Sequence, residues 1–180
     1  MEKKVYVIRH CEAEGQPKGA QLTEKGRQQA KELAGFLAGV KIDKIISSPF
    51  RRAVQSIEPA AFSGKIRIEV DERLSERILS TKPLEDWQEK LETSFVDLEA
   101  KFDGGESSAE AMDRIVSVVK EVLAVETENT LIVTHGNLMS LLLKYFQPNF
   151  GFEEWKNLSN PDVYLLTFCN QNVSIKRVWE

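Results

Sequence analysis

The stretch Val5-Tyr6-Val7-Ile8-Arg9-His10 decides the fold and locates the chemistry of this protein. Its first four residues are apolar on both faces of the strand pleat, which is typical of a strand buried between two layers of helices. The strand then ends in an arginine and a histidine. Because ligands of open α/β sheets bind beyond the carboxyl ends of the strands, Arg9 and His10 are the first candidate site residues.

Predicted strands and helices alternate along the rest of the chain. The patterns predict further strands at 44–47, 66–70, 131–133, 163–168 and 175–179, the last two joined by a hairpin through Asn170-Gln171-Asn172. Helices are predicted from Thr23 to about 38, from Pro49 onward, over 84–102, after a capping box at Ser107, and after Gly136. This alternation predicts a three-layer α/β/α sandwich with a mostly parallel central sheet.

Length and composition describe an ordinary globular chain. It has 180 residues, of which 42% are hydrophobic and 29% charged, and no linker or repeat divides it. We therefore expect a single domain over residues 1–180, with a small helical cap insertion at about 78–104; the oligomeric state stays open. A formal net charge of −4 argues against a general nucleic-acid binder.

Cysteine content and apolar runs indicate the compartment. The two cysteines, Cys11 and Cys169, form no disulfide framework, and the first residues carry too short an apolar run for a signal peptide. The longest apolar runs fall far below the roughly 18 residues that span a bilayer. The expected setting is cytoplasmic, with no membrane as a partner.

The residues that follow the predicted strands are strongly cationic. Ser48-Pro49-Phe50-Arg51-Arg52 follows the second strand, and Thr134-His135-Gly136 follows the strand at 131–133. The chain has only two histidines, and both lie at this end of the sheet. Imidazoles and guanidiniums around one point suit a dianionic phosphate, since Arg offers bidentate contacts. The implied ligand is a phosphate ester, and no residue cluster suits a metal ion.

Phosphate-ester chemistry in such a pocket requires a nucleophile and an acid. A neutral imidazole nitrogen can attack phosphorus in line with the leaving oxygen, and nearby Arg side chains hold down the pKa of the histidine. A carboxylic acid must then protonate the leaving alkoxide. Glu76, which follows the third strand, is the candidate for this acid and later for the base that activates water, with Glu72 as the alternative.

Six short motifs, in order, resemble the histidine phosphatase superfamily, also called the phosphoglycerate mutase-like superfamily. They are Arg9-His10 with Glu12, Leu22-Thr23-Glu24-Lys25-Gly26-Arg27, Ser48-Pro49-Phe50-Arg51-Arg52-Ala53-Val54-Gln55, Leu74-Ser75-Glu76-Arg77, Gly105-Glu106-Ser107 and Thr134-His135-Gly136. The resemblance covers nearly the whole chain and implies a phosphoglycerate mutase-like fold without a cofactor. It also implies His10 as the phosphorylated nucleophile, Glu76 as the proton donor, and a phosphate pocket completed by Arg9, Arg52 and His135.

Some positions depart from the family's pattern. Cys11 stands where the family has Gly, and Ala13 stands where Thr or Ser is usual. Gln16 replaces an Asn that contacts the phosphate in the family, and we expect Gln16 to make that contact. We also expect the backbone amide of Asn137, which opens a helix, to face the phosphate. Glu12 fits a structural hydrogen-bond acceptor and a site residue equally well.

Several functions are compatible with these motifs. The leading one is a phosphomonoesterase that acts on a small phosphorylated metabolite through a phosphohistidine. A cofactor-dependent phosphoglycerate mutase is the runner-up, but mutases of this family carry a larger insertion between the residues that match Glu76 and His135. A non-catalytic phosphate-binding domain is disfavoured because His10, Glu76 and His135 are intact. A phosphopeptide substrate stays open at this stage.

Overall fold

Six β-strands form one central sheet in the computed structural model, which describes residues 1–180. The strands are β1 (Lys3–Arg9), β2 (Lys44–Ser47), β3 (Ile68–Val70), β4 (Asn129–Thr134), β5 (Asp162–Cys169) and β6 (Asn172–Arg177). Their order across the sheet is β3-β2-β4-β1-β5-β6. All pairs among β1 to β4 are parallel, whereas β5 lies antiparallel to β1 and β6 antiparallel to β5. The predicted mostly parallel sheet is confirmed.

Helices cover both faces of this sheet. They are α1 (Glu24–Leu37), α2 (Arg51–Gly64), α3 (Trp87–Val96), α4 (Ser108–Ala124), α5 (Gly136–Phe146) and α6 (Phe152–Lys156). Val5 and Val7 of β1 lie in the apolar core formed with α4 and α5, whereas Tyr6 and Ile8 lie in the core formed with α1 and α2. This burial on both faces explains why β1 is apolar throughout, and it confirms the three-layer sandwich.

Local sequence signals place several element ends as predicted. Thr23 caps α1 by accepting a backbone amide three residues further on, and Ser107 and Glu110 form the capping box of α4. The β5–β6 hairpin turns at Asn170 and Gln171, whose φ angles of 47° and 71° suit a two-residue hairpin turn. These signals depend only on neighbours in the chain, so they can be read without the tertiary structure.

The segment 84–102 differs most from its prediction. Its apolar spacing predicts one helix over the whole segment, but α3 ends at Val96. Asp97 is extended, and its side chain accepts the amide of Glu99 at 3.1 Å, which diverts the backbone out of the helix. The predicted cap insertion at 78–104 therefore carries a single helix, and Leu91 and Phe95 of that helix pack into the core.

Smaller differences concern other element ends. α2 begins at Arg51 rather than Pro49, and β6 begins at Asn172 rather than Ile175. β3 omits the first two residues of its predicted range. α6 was not predicted, because five residues are too few to display a helical period. No helix of the chain combines the length and the hydropathy that crossing a membrane requires.

Candidate active site

The ends of β1 and β4 bring the two histidines together. These strands pair in parallel with Arg9 opposite Thr134, and the backbone amide of His10 donates to the carbonyl oxygen of Thr134 at 3.1 Å. The next residue after Thr134 is His135, so both imidazoles leave the sheet at the same edge. Their ring centroids lie 5.1 Å apart.

His10 has a defined tautomer. Its Nδ1 lies 2.7 Å from the carbonyl oxygen of Cys11, and because a carbonyl oxygen can only accept, Nδ1 carries the hydrogen. Nε2 therefore keeps its lone pair, and Nε of Arg52 donates to it at 3.2 Å. Burial, helped by the charges of Arg52 and Arg9, lowers the pKa of His10 to about 3, although the hydrogen bond to Cys11 acts in the opposite direction. The ring is neutral at neutral pH.

Arg52 reaches the pocket from the first turn of α2. Its Nη1 donates to the carbonyl oxygens of Gln16 at 2.9 Å and Pro17 at 3.0 Å, which orients the guanidinium, and its Cζ lies 4.9 Å from the centre of the Phe50 ring. The side chain is 2% exposed. Its neighbour Arg51, by contrast, is exposed.

The loop before β5 orients the side chain of Arg9 toward the pocket. Its Nη1 donates to the carbonyl oxygens of Leu158 at 3.3 Å and Ser159 at 3.4 Å, whereas its buried Nε has no partner in the protein. A Cβ added at Gly136 would lie 3.0 Å from Cζ of Arg9. Gly136 is therefore required for the close approach of this guanidinium, and the free Nε–H is available to an anion.

His135 is the N-cap residue of α5 and is fully buried. Its Nε2 lies 2.8 Å from Oγ of Ser48, and its Nδ1 has no protein partner. Burial, followed by the electrostatic influence of His10, Arg52 and Arg9, lowers its pKa well below the ordinary histidine value. This second imidazole is also neutral.

Glu76 holds the N-terminus of α5. Its Oε1 accepts the amides of Leu138 at 2.9 Å and Arg77 at 2.8 Å, and its Oε2 accepts the amide of Asn137 at 3.1 Å. Burial raises the pKa of Glu76, although these three amides and the charge of Arg9 act in the opposite direction. The alternative acid, Glu72, is exposed and makes no side-chain hydrogen bond to the pocket residues.

The loop that carries Glu76 is anchored from α4. Nη1 of Arg114 donates to the carbonyl oxygens of Arg73 at 2.6 Å and Ser75 at 2.7 Å. The same guanidinium pairs with Glu106 through hydrogen bonds of 3.1 Å and 2.5 Å. Glu106 belongs to the Gly105-Glu106-Ser107 motif, so this motif supports the position of the carboxyl group without contacting it.

Gln16 and Asn137 are the two further residues expected to contact the phosphate. The side chain of Gln16 is exposed, and only its carbonyl oxygen enters the site, as a partner of Arg52. The amide of Asn137 donates to Glu76 instead of pointing freely into the pocket, because the carboxylate occupies the N-terminus of α5. Contacts of Gln16 and Asn137 with a bound phosphate stay predictions.

The unusual Cys11 is accommodated by the core. Its side chain is buried in the apolar cluster between α1 and α2, and its amide donates to Oγ of Ser56 at 2.8 Å. Burial raises the pKa of the thiol to about 11, so the thiol is uncharged. Glu12 accepts the hydroxyl of Thr23 at 2.9 Å and pairs with Lys25 at 3.4 Å, which makes it a structural acceptor.

The residues that sequence reasoning missed lie in the loop before β5 and at the first residue of that strand. Nδ2 of Asn160 donates to the carbonyl oxygen of His10 at 2.9 Å. Asp162, fully buried, accepts the amide of Ser159 at 2.9 Å and two hydrogen bonds from Arg177, at 3.0 Å and 2.6 Å. The local sequence of this segment indicates only a turn ahead of a strand. It does not indicate a contact with His10, which follows the first strand.

The pocket contains cations but no metal-binding cluster. No group of three or more His, Cys, Asp or Glu side chains is placed to hold a metal ion. The positive charge around Nε2 of His10 comes from the guanidinium groups of Arg9 and Arg52.

A cationic pocket around a neutral histidine, at the carboxyl ends of parallel strands, is typical of α/β enzymes that bind or transfer phosphoryl groups. The sequence profile of the histidine phosphatase superfamily (branch 1) matches residues 5–180. The chain therefore belongs to the histidine phosphatase superfamily, and the resemblance carried by the six motifs is confirmed.

Individual relatives include phosphatases. Phosphoserine phosphatase 1 of Hydrogenobacter thermophilus is 28% identical over 145 residues, covering 72% of this chain and 69% of that protein. A protein of Salmonella choleraesuis named "Probable phosphoglycerate mutase GpmB" is 29% identical over 157 residues, covering 77% of this chain and 72% of that protein.

Solved structures show the same fold. Mycobacterial glucosyl-3-phosphoglycerate phosphatase has a TM-score of 0.78 at 22% identity, covering 98% of this chain and 97% of that chain. Phosphoserine phosphatase of Entamoeba histolytica has a TM-score of 0.76 at 22% identity, covering 99% of this chain and 98% of that chain.

Proposed function

We propose that the protein is a phosphatase that hydrolyses phosphate monoesters of small metabolites through a phosphohistidine at Nε2 of His10. The observation that carries the proposal is the state of His10. Its Nδ1–H donates to the carbonyl oxygen of Cys11 at 2.7 Å, and its low pKa keeps Nε2 unprotonated at neutral pH. Arg9, Arg52 and His135 offer hydrogen-bond donors to the phosphate that this nitrogen attacks.

The first chemical step forms a bond between Nε2 of His10 and phosphorus. The bond between phosphorus and the ester oxygen breaks in line, and Glu76 gives its proton to that oxygen, so the product leaves as a neutral alcohol. The imidazole ring becomes cationic, and its Nδ1–H donates to Cys11 throughout. Arg9 and Arg52 stabilise the charge on the phosphoryl oxygens.

The second step regenerates the enzyme. The carboxylate of Glu76 takes a proton from a water molecule, the water oxygen bonds to phosphorus, and the bond between phosphorus and Nε2 breaks. Its electron pair returns to the imidazole of His10, and inorganic phosphate leaves. A raised pKa suits Glu76 because the group must be protonated in the first step and ionised in the second.

The names of the relatives support a small metabolite as the substrate. Phosphoserine and glucosyl-3-phosphoglycerate, which appear in those names, are both small phosphate monoesters. The protein named GpmB supports a second candidate, a phosphoglycerate mutase, which returns the phosphoryl group to a hydroxyl of the substrate. Residues 77–134, between Glu76 and His135, contain only α3, α4 and β4, and this short segment favours hydrolysis.

The proposal requires a phosphorylated substrate and no metal ion, nucleic acid or membrane. The guanidinium groups of Arg9 and Arg52 supply the charge that a metal ion would otherwise provide. We also place the protein in the cytoplasm, on the ground that Cys11 and Cys169 are free thiols.

Trapping the phosphoenzyme tests the proposed function. A short incubation with substrate, quenched in base, is expected to give a phosphate adduct on His10 that acid removes, and His10→Asn is expected to give none. Release of inorganic phosphate from phosphorylated sugars, nucleotides, glycerates and phosphopeptides identifies the substrate class. Interconversion of phosphoglycerates without phosphate release would instead identify a mutase, and the absence of adduct and turnover would refute both.

A further inference from the structure

Ser48 is a buried residue that the mechanism above leaves without a role. It directly follows β2, is 0% exposed, and its Oγ lies 2.8 Å from Nε2 of His135. The amide of Phe50 donates to the same oxygen at 3.2 Å. The hydroxyl oxygen of Ser48 therefore has two partners, and one of them is a donor.

The hydrogen of this hydroxyl group has one available acceptor. Each serine hydroxyl carries a single hydrogen, and a backbone amide cannot accept it. Only Nε2 of His135 remains. If Nε2 were protonated, it would donate to Ser48, and the hydroxyl hydrogen would be buried without an acceptor, which folded proteins avoid. The hydrogen-bond inventory therefore places a lone pair on Nε2.

The other ring nitrogen of His135 then carries the hydrogen. Burial and the neighbouring positive groups keep the pKa of His135 low, so the ring has a single N–H. With the lone pair on Nε2, that N–H is Nδ1–H. Nδ1 is buried and has no partner in the protein, although the ring stands only 5.1 Å from the ring of His10.

We propose that Ser48 is a positioning residue that holds His135 as the Nδ1–H tautomer, so that Nδ1–H donates to the phosphoryl group transferred to His10. This inference rests on the proposed phosphatase function. Without Ser48 the hydrogen can move to Nε2, and the lone pair of Nδ1 then faces the negatively charged phosphoryl oxygens. A donor in the pocket is thereby replaced by a repulsive contact.

Two serine variants test the effect on activity. Ser48→Ala is expected to lower kcat/KM about 10- to 100-fold, the range of a hydrogen bond to a charged group, and to weaken competitive inhibition by inorganic phosphate. Ser47→Ala is the matched control, because Ser47 is also 0% exposed but its hydroxyl donates to the carbonyl oxygen of Ser48 at 2.9 Å. Ser48→Thr, which keeps the hydroxyl, is expected to recover most of the activity. Equal kcat/KM values for Ser48→Ala and Ser47→Ala would overturn the proposal.

Nitrogen NMR tests the tautomer without using activity. The chain has only two histidines, so the His10→Asn variant contains His135 alone, and its ¹⁵N spectrum assigns the same resonances in the intact protein. The expected result is a protonated Nδ1 and an unprotonated Nε2, with the Nδ1 resonance moving when inorganic phosphate is added. A protonated Nε2 would overturn the proposal even if Ser48→Ala did not fold. A wild type without turnover would refute the phosphatase function, while the tautomer would still decide the role of Ser48.

Discussion

Replacing Glu76 by Gln removes the assigned acid with little change in shape. Oε1 of Glu76 accepts two amides, those of Arg77 and Leu138, and the amide oxygen of Gln can accept both. The NH₂ group of Gln then faces the backbone amide of Asn137, and because both groups are donors, no hydrogen bond forms between them. One buried amide loses its partner, so we expect the free energy of unfolding to fall by about 1–3 kcal/mol.

The effect of Glu76→Gln on catalysis depends on the leaving group. The leaving group of an alkyl phosphate is a basic alkoxide that needs a proton, so kcat/KM is expected to fall roughly 10²–10⁴-fold, the usual contribution of general acid catalysis. Nitrophenyl phosphate leaves as a stabilised phenolate that needs little protonation. For this ester we expect a loss in kcat/KM of about tenfold or less. Because kcat/KM covers only the steps up to the phosphohistidine, the loss of Glu76 as the base of the second step does not enter this comparison.

Steady-state release of phosphate from a glycerol phosphate and from nitrophenyl phosphate gives the loss in kcat/KM for each ester, and the ratio of the two losses is the test. Glu72→Gln is the matched control, since Glu72 precedes the same loop but is exposed, and both of its rates are expected to stay near those of the wild type. If Glu76→Gln slowed both esters equally while Glu72→Gln showed the leaving-group dependence, the acid would be Glu72. Chemical denaturation of each variant shows whether a lost rate reflects lost folding.

Three further outcomes are expected. Gly136→Ala places a Cβ 3.0 Å from Cζ of Arg9, so kcat/KM should fall by roughly tenfold or more, with stability little changed. Gly35→Ala is the control, because its Cβ meets nothing within 4 Å and should leave the kinetics unchanged. Equal kinetics for the two variants would contradict the close approach of Arg9 to Gly136. The folded-state pKa of His10 lies near 3, below its ordinary value of 6.5, so its contribution to stability is present above pH 6.5 and is lost as the pH falls toward 3. Urea unfolding of His10→Asn should therefore depend less on pH in this window, by up to about 1.4 kcal/mol per pH unit, and an unchanged slope would refute the low pKa. Turnover should survive excess EDTA, and a loss restored by magnesium or zinc would show that a metal ion is required.

Elements with strong local signals agree between sequence and structure, and elements without them do not. The strand Lys44–Ser47 and the capping box of Ser107 and Glu110 are found where the patterns predict them. The helix predicted over 84–102 is shorter, although the apolar spacing continues beyond its end. The side chain of Asp97 accepts the backbone amide of Glu99, and this hydrogen bond ends the helix. α6 is missed altogether, since its short length carries no periodicity.

The sequence by itself determined the α/β order and which residues follow each strand. Because parallel strands end at one edge of a sheet, it also determined that His10 and His135 meet there, with Arg9 and Arg52 as candidate partners. These conclusions need only local patterns and the rule that strands of one sheet share an edge. They do not need the distance between any two side chains.

Only the tertiary structure decided the chemical state of the pocket. The tautomer of His135 depends on Ser48, which lies 87 residues away, and the loop that supports His10 includes Asn160, 150 residues away. The pKa of His10 depends on burial by several elements at once, and the orientation of Arg9 depends on carbonyl oxygens that precede β5. Burial and hydrogen-bond geometry arise from atoms of distant segments, and no local pattern of residues carries that information.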